Sequence, residues 1–148
     1  MAKATAADIT GLGFIKEMYG NLTPTEDAFE TFIEGVISEQ SEMLSGRVGS
    51  EVYASTTAPT STYVKRAEKC LTAAEMVQRR INVILGNAIS AGQPIDISHE
   101  GAQKKAYLDE AEKWISRVSS EDYAGGVLET SHFAEDNSDL ADVLEDQL

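Results

Sequence analysis

Cysteine is nearly missing from this chain. The single Cys70 excludes an intramolecular disulfide, and its place on an apolar helical face predicts a small buried hydrophobe, not a reactive thiol. Histidine is almost as scarce. His99 and His132 fall in different segments, and no His or Cys pair sits at the i, i+4 spacing of a helical metal site. Gly11-Leu12-Gly13 lacks both the third glycine and the preceding strand of a nucleotide loop. No apolar run approaches the roughly 20 residues of a membrane span, and the first twenty residues hold no stretch of signal-peptide length. A soluble, non-enzymatic protein of a reducing compartment, without metal or cofactor, is the expectation from these absences.

Positive charge is also scarce. There are 12 Lys and Arg against 25 Asp and Glu, a net charge of −13, which argues against general attraction to nucleic acid or anionic lipid. Basic residues stop at Arg117, so the C-terminal part is acidic throughout. The 148 residues suffice for one modest core with room for a tail, and no internal repeat is visible.

The strongest positive signal is a proline-free stretch over 63–91. Val64, Ala67, Cys70, Leu71, Ala74, Val77, Ile81, Ile84, Leu85 and Ala88 recur at spacings of three and four, one buried helix face. Lys65, Arg66, Lys69, Arg79 and Arg80 share a second, basic face at about 100° per residue, with Glu68 and Glu75 on the seam.

Ahead of it, Ile9, Leu12, Ile15, Met18 and Tyr19 predict a helix over 8–19 with Asp8 as N-cap, weakened by Gly11 and Gly13. Thr23-Pro24-Thr25-Glu26 reads as a capping box with proline at the first helical position. The stripe Phe29, Phe32, Ile33, Val36, Ile37, Met43 and Leu44 then predicts an amphipathic helix ending at Gly46 or Gly49, with Glu30, Glu34 and other acids on its outer side. Residues 47–62, rich in Ser, Thr, Gly and Pro, predict a long ordered loop or a short irregular extended segment, with Val48, Val52 and Tyr53 as tethers, and a loop of that length is often functional. Gly92-Gln93-Pro94 ends the central helix. Ser98 can cap another running to about 119, on a stripe of Tyr107, Ala111, Trp114, Ile115 and Val118.

The expected fold is mainly α: a small helical bundle around one long central helix, with a long loop and an extended acidic C-terminal arm. Residues 1–120 form the helical domain and 121–148 the arm. In the arm Leu140, Val143, Leu144 and Leu148 fall at helical spacing, too short to be stable alone. It is either a solvating tail or a docking segment that folds on a partner.

The basic face admits three readings. It can be a solvated face with local pairs such as Glu75–Arg79, or a nucleic-acid site, disfavoured by the acidic remainder and the lack of interleaved aromatics. It can also be half of a self-complementary contact. Copies with one acidic and one basic outer face, Glu30 and Glu34 on one helix and the five cations on another, can pack head-to-tail and close a ring.

The order of these features over residues 8–81 resembles the small head–tail connector (adaptor, or head-completion) proteins of tailed bacteriophages. The resemblance is carried by a short first helix ending in Tyr19-Gly20 and an amphipathic helix over 27–44. Ser45-Gly46-Arg47 and Tyr53 follow, then a loop around Pro59. A long helix then opens Val64-Lys65-Arg66-Ala67 and continues through Leu71-Thr72-Ala73-Ala74-Glu75-Met76 to Arg79-Arg80. The resemblance implies a structural virion protein without enzymatic activity. Such a protein assembles in the host cytoplasm into a ring, commonly a dodecamer, beneath the portal protein. It extends the DNA channel, which DNA crosses without specific binding, and offers the docking surface for the stopper or tail-completion protein. On that reading the arm docks on the portal, and Arg47, Tyr53 and Pro59 make a loop contact to the tail or lumen. A regulatory helical protein-binding module is the alternative from another class.

Overall fold

Thr5 and Asp8 start the first helix as a reciprocal pair. The Thr5 hydroxyl accepts from the Asp8 N–H at 3.3 Å and the Asp8 carboxylate accepts from the Thr5 N–H at 2.9 Å, so Asp8 is the third residue of a capping box and Thr5 the cap. The helix they open, α1 (Ala6–Thr10), is a single short turn and a half. Gly13, at φ 104°, takes a conformation that side-chain-bearing residues rarely adopt, and the chain resumes only as a 3-10 segment over Lys16–Leu22. The continuous helix expected over 8–19 is therefore two pieces.

In the computed structural model, which describes residues 2–126, four further helices follow: α2 (Glu26–Val48), α3 (Ser50–Ala54), α4 (Thr60–Ala91) and α5 (Ser98–Gly126). There is no strand among the described residues. α2 is capped by Thr25, whose hydroxyl accepts from the Ala28 N–H at 3.1 Å, so Pro24 precedes the cap and is not the first helical residue. The helix runs through Gly46 and stops at Gly49 (φ 95°), where the backbone swings round and α3 begins at once. That small helix and an early start to α4 shorten the expected 47–62 loop to five residues. Asp96 accepts from both the N–H and the hydroxyl of Ser98 at the start of α5, and α5 continues to Gly126, past its expected end near 119.

α4 is the axis. Glu100 faces Arg80 and Trp114 faces Tyr63, so α5 runs antiparallel beside it. α2 is antiparallel too, with Phe29 and Ile33 among residues 73–81 and Leu44 among Val64, Ala67 and Leu71. Two apolar clusters result. One gathers Ile9, Phe14, Tyr19, the α2 stripe and Met76, Val77 and Ile81; the other joins Leu44, Tyr53 and Val64 to Ala111, Ile115 and Val118. In α2, Gln40 is buried while Met43 stays 60% exposed, so Met43 leaves the predicted stripe. The Tyr19 hydroxyl donates to the Met76 carbonyl at 3.0 Å, pinning the 3-10 segment to the middle of α4.

Among the described residues one charged group is wholly inside. Glu68, expected on the seam of α4, is fully buried. Its Oε2 accepts from the N–H groups of Lys3 and Ala4 at 2.7 Å each, and its Oε1 accepts from the Tyr53 hydroxyl. Two backbone donors and a phenol satisfy the carboxylate where no water can. Burial first, and the neighbouring carboxylate second, push the Tyr53 phenol well above its ordinary range, so it stays a donor at any working pH.

Glu68→Ala should therefore destabilise by about 3 kcal/mol, since it orphans the buried Ala4 N–H, the half-buried Lys3 N–H and a buried phenol. Urea denaturation measures the loss, and hydrogen exchange should show protection vanishing first at Lys3 and Ala4. Tyr53→Phe, which leaves both N–H groups paired, should cost less than half as much.

Candidate interaction surface

The basic residues of α4 do not form one patch. Lys65 and Arg79 are fourteen residues apart, about 21 Å along a helix axis, and the two ends meet different neighbours. Arg79 lies at 2.7 Å from Glu39 of α2 and 3.1 Å from Glu75 one turn back, with its guanidinium 5.7 Å from the Phe32 ring centroid. Arg80 reaches Glu100 of α5 at 4.0 Å and the Met18 sulfur at 3.7 Å. Both clamp this chain's own helices to α4. They stand on the face expected to make a contact between subunits, and each already has an ion-pair partner within the chain.

The N-terminal end of α4 is otherwise placed. Lys65, Arg66 and Lys69 line an open groove of about 540 Å³ with Lys3, Asp8 and the hydroxyls of Thr56, Ser61 and Thr62. Lys65 lies 3.6 Å from Asp8. Partial burial opposes ionisation of Asp8, but the Thr5 donors and the charges of Lys65 and Lys69 outweigh it and hold the carboxyl below its ordinary value. Arg66 stacks at 4.7 Å on Trp114, which Arg117 also covers at 4.7 Å and Tyr63 stacks on at 5.6 Å. Lys3 donates to the Ser55 carbonyl at 3.1 Å. Lys69 has no ion pair among the described residues.

Glu30 and Glu34 are exposed on α2 and line a second, smaller groove against Ala2, Ala4 and Thr5. The N-terminal residues thus separate an acidic-rimmed groove from a basic one.

Of the residues expected in the loop, Arg47 lies in the last turn of α2 and makes a two-pronged pair with Glu112 of α5 at 2.7 and 3.0 Å, and Pro59 occupies the N-cap position of α4 without a side-chain hydrogen bond. Tyr53 is buried on Glu68, which removes it from any external contact: the aromatic in a Ser/Thr-rich stretch is a core tether. Leu140, Val143, Leu144 and Leu148 lie outside the described residues. Cys70 is half-buried, and burial, with the Glu110 charge second, raises its thiol pKa. Among the described residues no cluster of His, Cys, Asp and Glu is placed to hold a metal, and no helix is long and apolar enough to cross a membrane. Comparison with family models, curated proteins and solved structures gives no match. Sequence reasoning missed Lys3 and the role of Glu68; the Thr5-x-x-Asp8 box, which fixes the entry of the chain beside α4, was the available signal.

Charge reversal at Arg79 should lower the stability of the isolated chain by about 1–2 kcal/mol, combining a lost half-exposed pair, a lost cation–π contact and new repulsion from Glu39 and Glu75. Thermal melts of Arg79→Glu beside Glu39→Lys/Arg79→Glu measure it, and the double variant should recover part of the loss.

The Arg47–Glu112 pair is readable by pH. The hydrogen bond from Arg47 depresses the Glu112 pKa below 4.5, so its contribution is present above that value and fades as pH falls through the folded-state pKa. Glu112→Gln should cost a few tenths of a kcal/mol near neutrality, because the pair is solvent-screened. In strong acid the variant and parent should melt alike.

Proposed function

We propose that this chain is a head–tail connector of a tailed bacteriophage, an adaptor that closes into a ring under the portal, extends the DNA channel and presents the docking surface for the stopper or tail. The observation that supports the reading most is the pair of grooves flanking the N-terminal residues. One is lined by Lys65, Arg66 and Lys69 and the other is rimmed by Glu30 and Glu34. Opposite charges on different parts of one surface favour a heterologous contact, and such a contact closes a ring when its rotation permits.

The helix order supports it as well: a short N-terminal helical entry, an acidic amphipathic helix and a long axial helix follow one another as in the connector arrangement. The proposed contact uses the N-terminal half of the α4 basic face alone, since Arg79 and Arg80 are engaged internally. The net charge of −13 suits a wall past which DNA slides, because phosphate is repelled and not captured. The role is that of a structural part of the virion neck, without catalysis or cofactor.

Electron microscopy of purified portal mixed with this protein should reveal a ring of added density on the portal's tail-facing end. Lys65→Glu/Lys69→Glu should abolish the ring while leaving the monomer's melting temperature within about 2 °C, given how little exposed pairs contribute. A portal that remains bare with the unmodified protein would overturn the reading.

A further inference from the structure

The groove at the start of α4 holds more cations than its surroundings neutralise. Lys3, Lys65, Arg66 and Lys69 face one carboxylate, Asp8, which pairs with Lys65 alone. Arg66 rests on an aromatic face and Lys3 on a backbone carbonyl, so neither meets an anion among the described residues. No side chain caps the N-terminus of α4, which opens beside them. Four cations gathered around about 540 Å³ repel one another unless an anion joins them.

We infer that residues 127–148 dock in cis on this groove through their carboxylates, with the cations of α4 and Lys3 as the receiving side. That segment carries seven Asp and Glu and no Lys or Arg. It also leaves the fold at the right end. Because α5 runs antiparallel to α4, Trp114 and Val118 lie beside Tyr63, Arg66 and Val64, at the end of α4 where the groove opens. Twenty-two residues can reach about 70 Å when extended, so length is no obstacle. A tethered segment presents itself at an effective concentration on the order of millimolar, well above any free copy at working concentrations, which favours the chain's own arm over a neighbour's.

This inference does not depend on the connector reading. Zero-length carbodiimide coupling of the full-length chain, which joins a carboxylate directly to a lysine amine, tests it. Mixed unlabelled and ¹⁵N-labelled protein tells bonds within one chain from bonds between two. Acids of residues 127–148 should couple to Lys3, Lys65 and Lys69 within one chain, in preference to the exposed Lys105 and Lys113. Raising the salt to about 1 M, where the screening length falls to about 3 Å, should cut that yield several-fold. Lys65→Glu/Lys69→Glu should do the same to the remaining Lys3 bond. The charge-neutral Lys65→Gln/Lys69→Gln, which leaves every arm carboxylate free to couple, should also lower the Lys3 bond, and a Lys3 yield equal to the parent's overturns the inference. Coupling spread evenly over all lysines overturns the inference, as do bonds between differently labelled chains, which would make a second copy the occupant. Failure here leaves the ring on the portal to be observed or not, and a bare portal leaves these bonds to form or not.

Discussion

A buried carboxylate organises this fold. Glu68 sits in the middle of the fold with no cation bonded to it among the described residues, held by two N–H groups of the N-terminal residues and the Tyr53 phenol. Desolvating a carboxylate costs several kcal/mol, and only a full set of donors offsets it. The donors come from segments that have little other reason to be ordered: residues 3–4 precede the first helix, and α3 is five residues long. Neither could hold its place by helix propensity. Through Glu68 both are fixed to α4, and Lys3 is thereby delivered to the rim of the basic groove.

The second constraint is that α4 must serve two flanking helices at once. Its buried positions include Ala67, Ala73 and Ala74, small enough to let α2 and α5 approach, and larger Val64, Met76, Val77 and Ile81 that fill the space between. A helix covered on two sides has a narrow outer strip, and there the basic residues split by neighbourhood. Toward its C-terminal end the strip is still within reach of Glu39 and Glu100, so Arg79 and Arg80 turn inward as clamps. Toward its N-terminal end the neighbour is a short stretch of N-terminal chain with a single acid, Asp8, and the lysines are left over.

Periodicity made the three long helices legible in the sequence, since each buries a stripe of its own. The short elements were less so. The Thr5-x-x-Asp8 pattern is a capping box in plain view, but the apolar spacing through Leu12 and Ile15 suggested a longer helix; both residues are in fact exposed. The spacing counted hydrophobic residues and could not count the φ of Gly13. Tyr53, readable either as a tether or as an outward contact, and Glu68, readable as a seam residue, were ambiguous for one reason: each is polar by type, fifteen residues separate them, and their burial depends on finding each other. A helical wheel assigns Glu68 to a seam because it measures angle, whereas what covers that angle is the N-terminal segment, invisible to local pattern. The same limit applied to the basic face, where one angular sector of α4 meets different partners 21 Å apart.

Scarcity of acid does not explain the cations left at the groove. Carboxylates outnumber basic side chains 25 to 12 in this chain, so pairing every cation would be easy were the surface mixed at random. Arg47, Arg79, Lys105 and Lys113 each lie within 3.2 Å of a carboxylate. At the groove the pattern inverts: Trp114 occupies Arg66, a backbone carbonyl occupies Lys3, and Lys69 is given nothing among the described residues. An aromatic ring or a carbonyl orients a cation without cancelling its charge. The geometry therefore keeps a positive field on an acidic protein, at the end of the bundle from which the most acidic part of the chain departs.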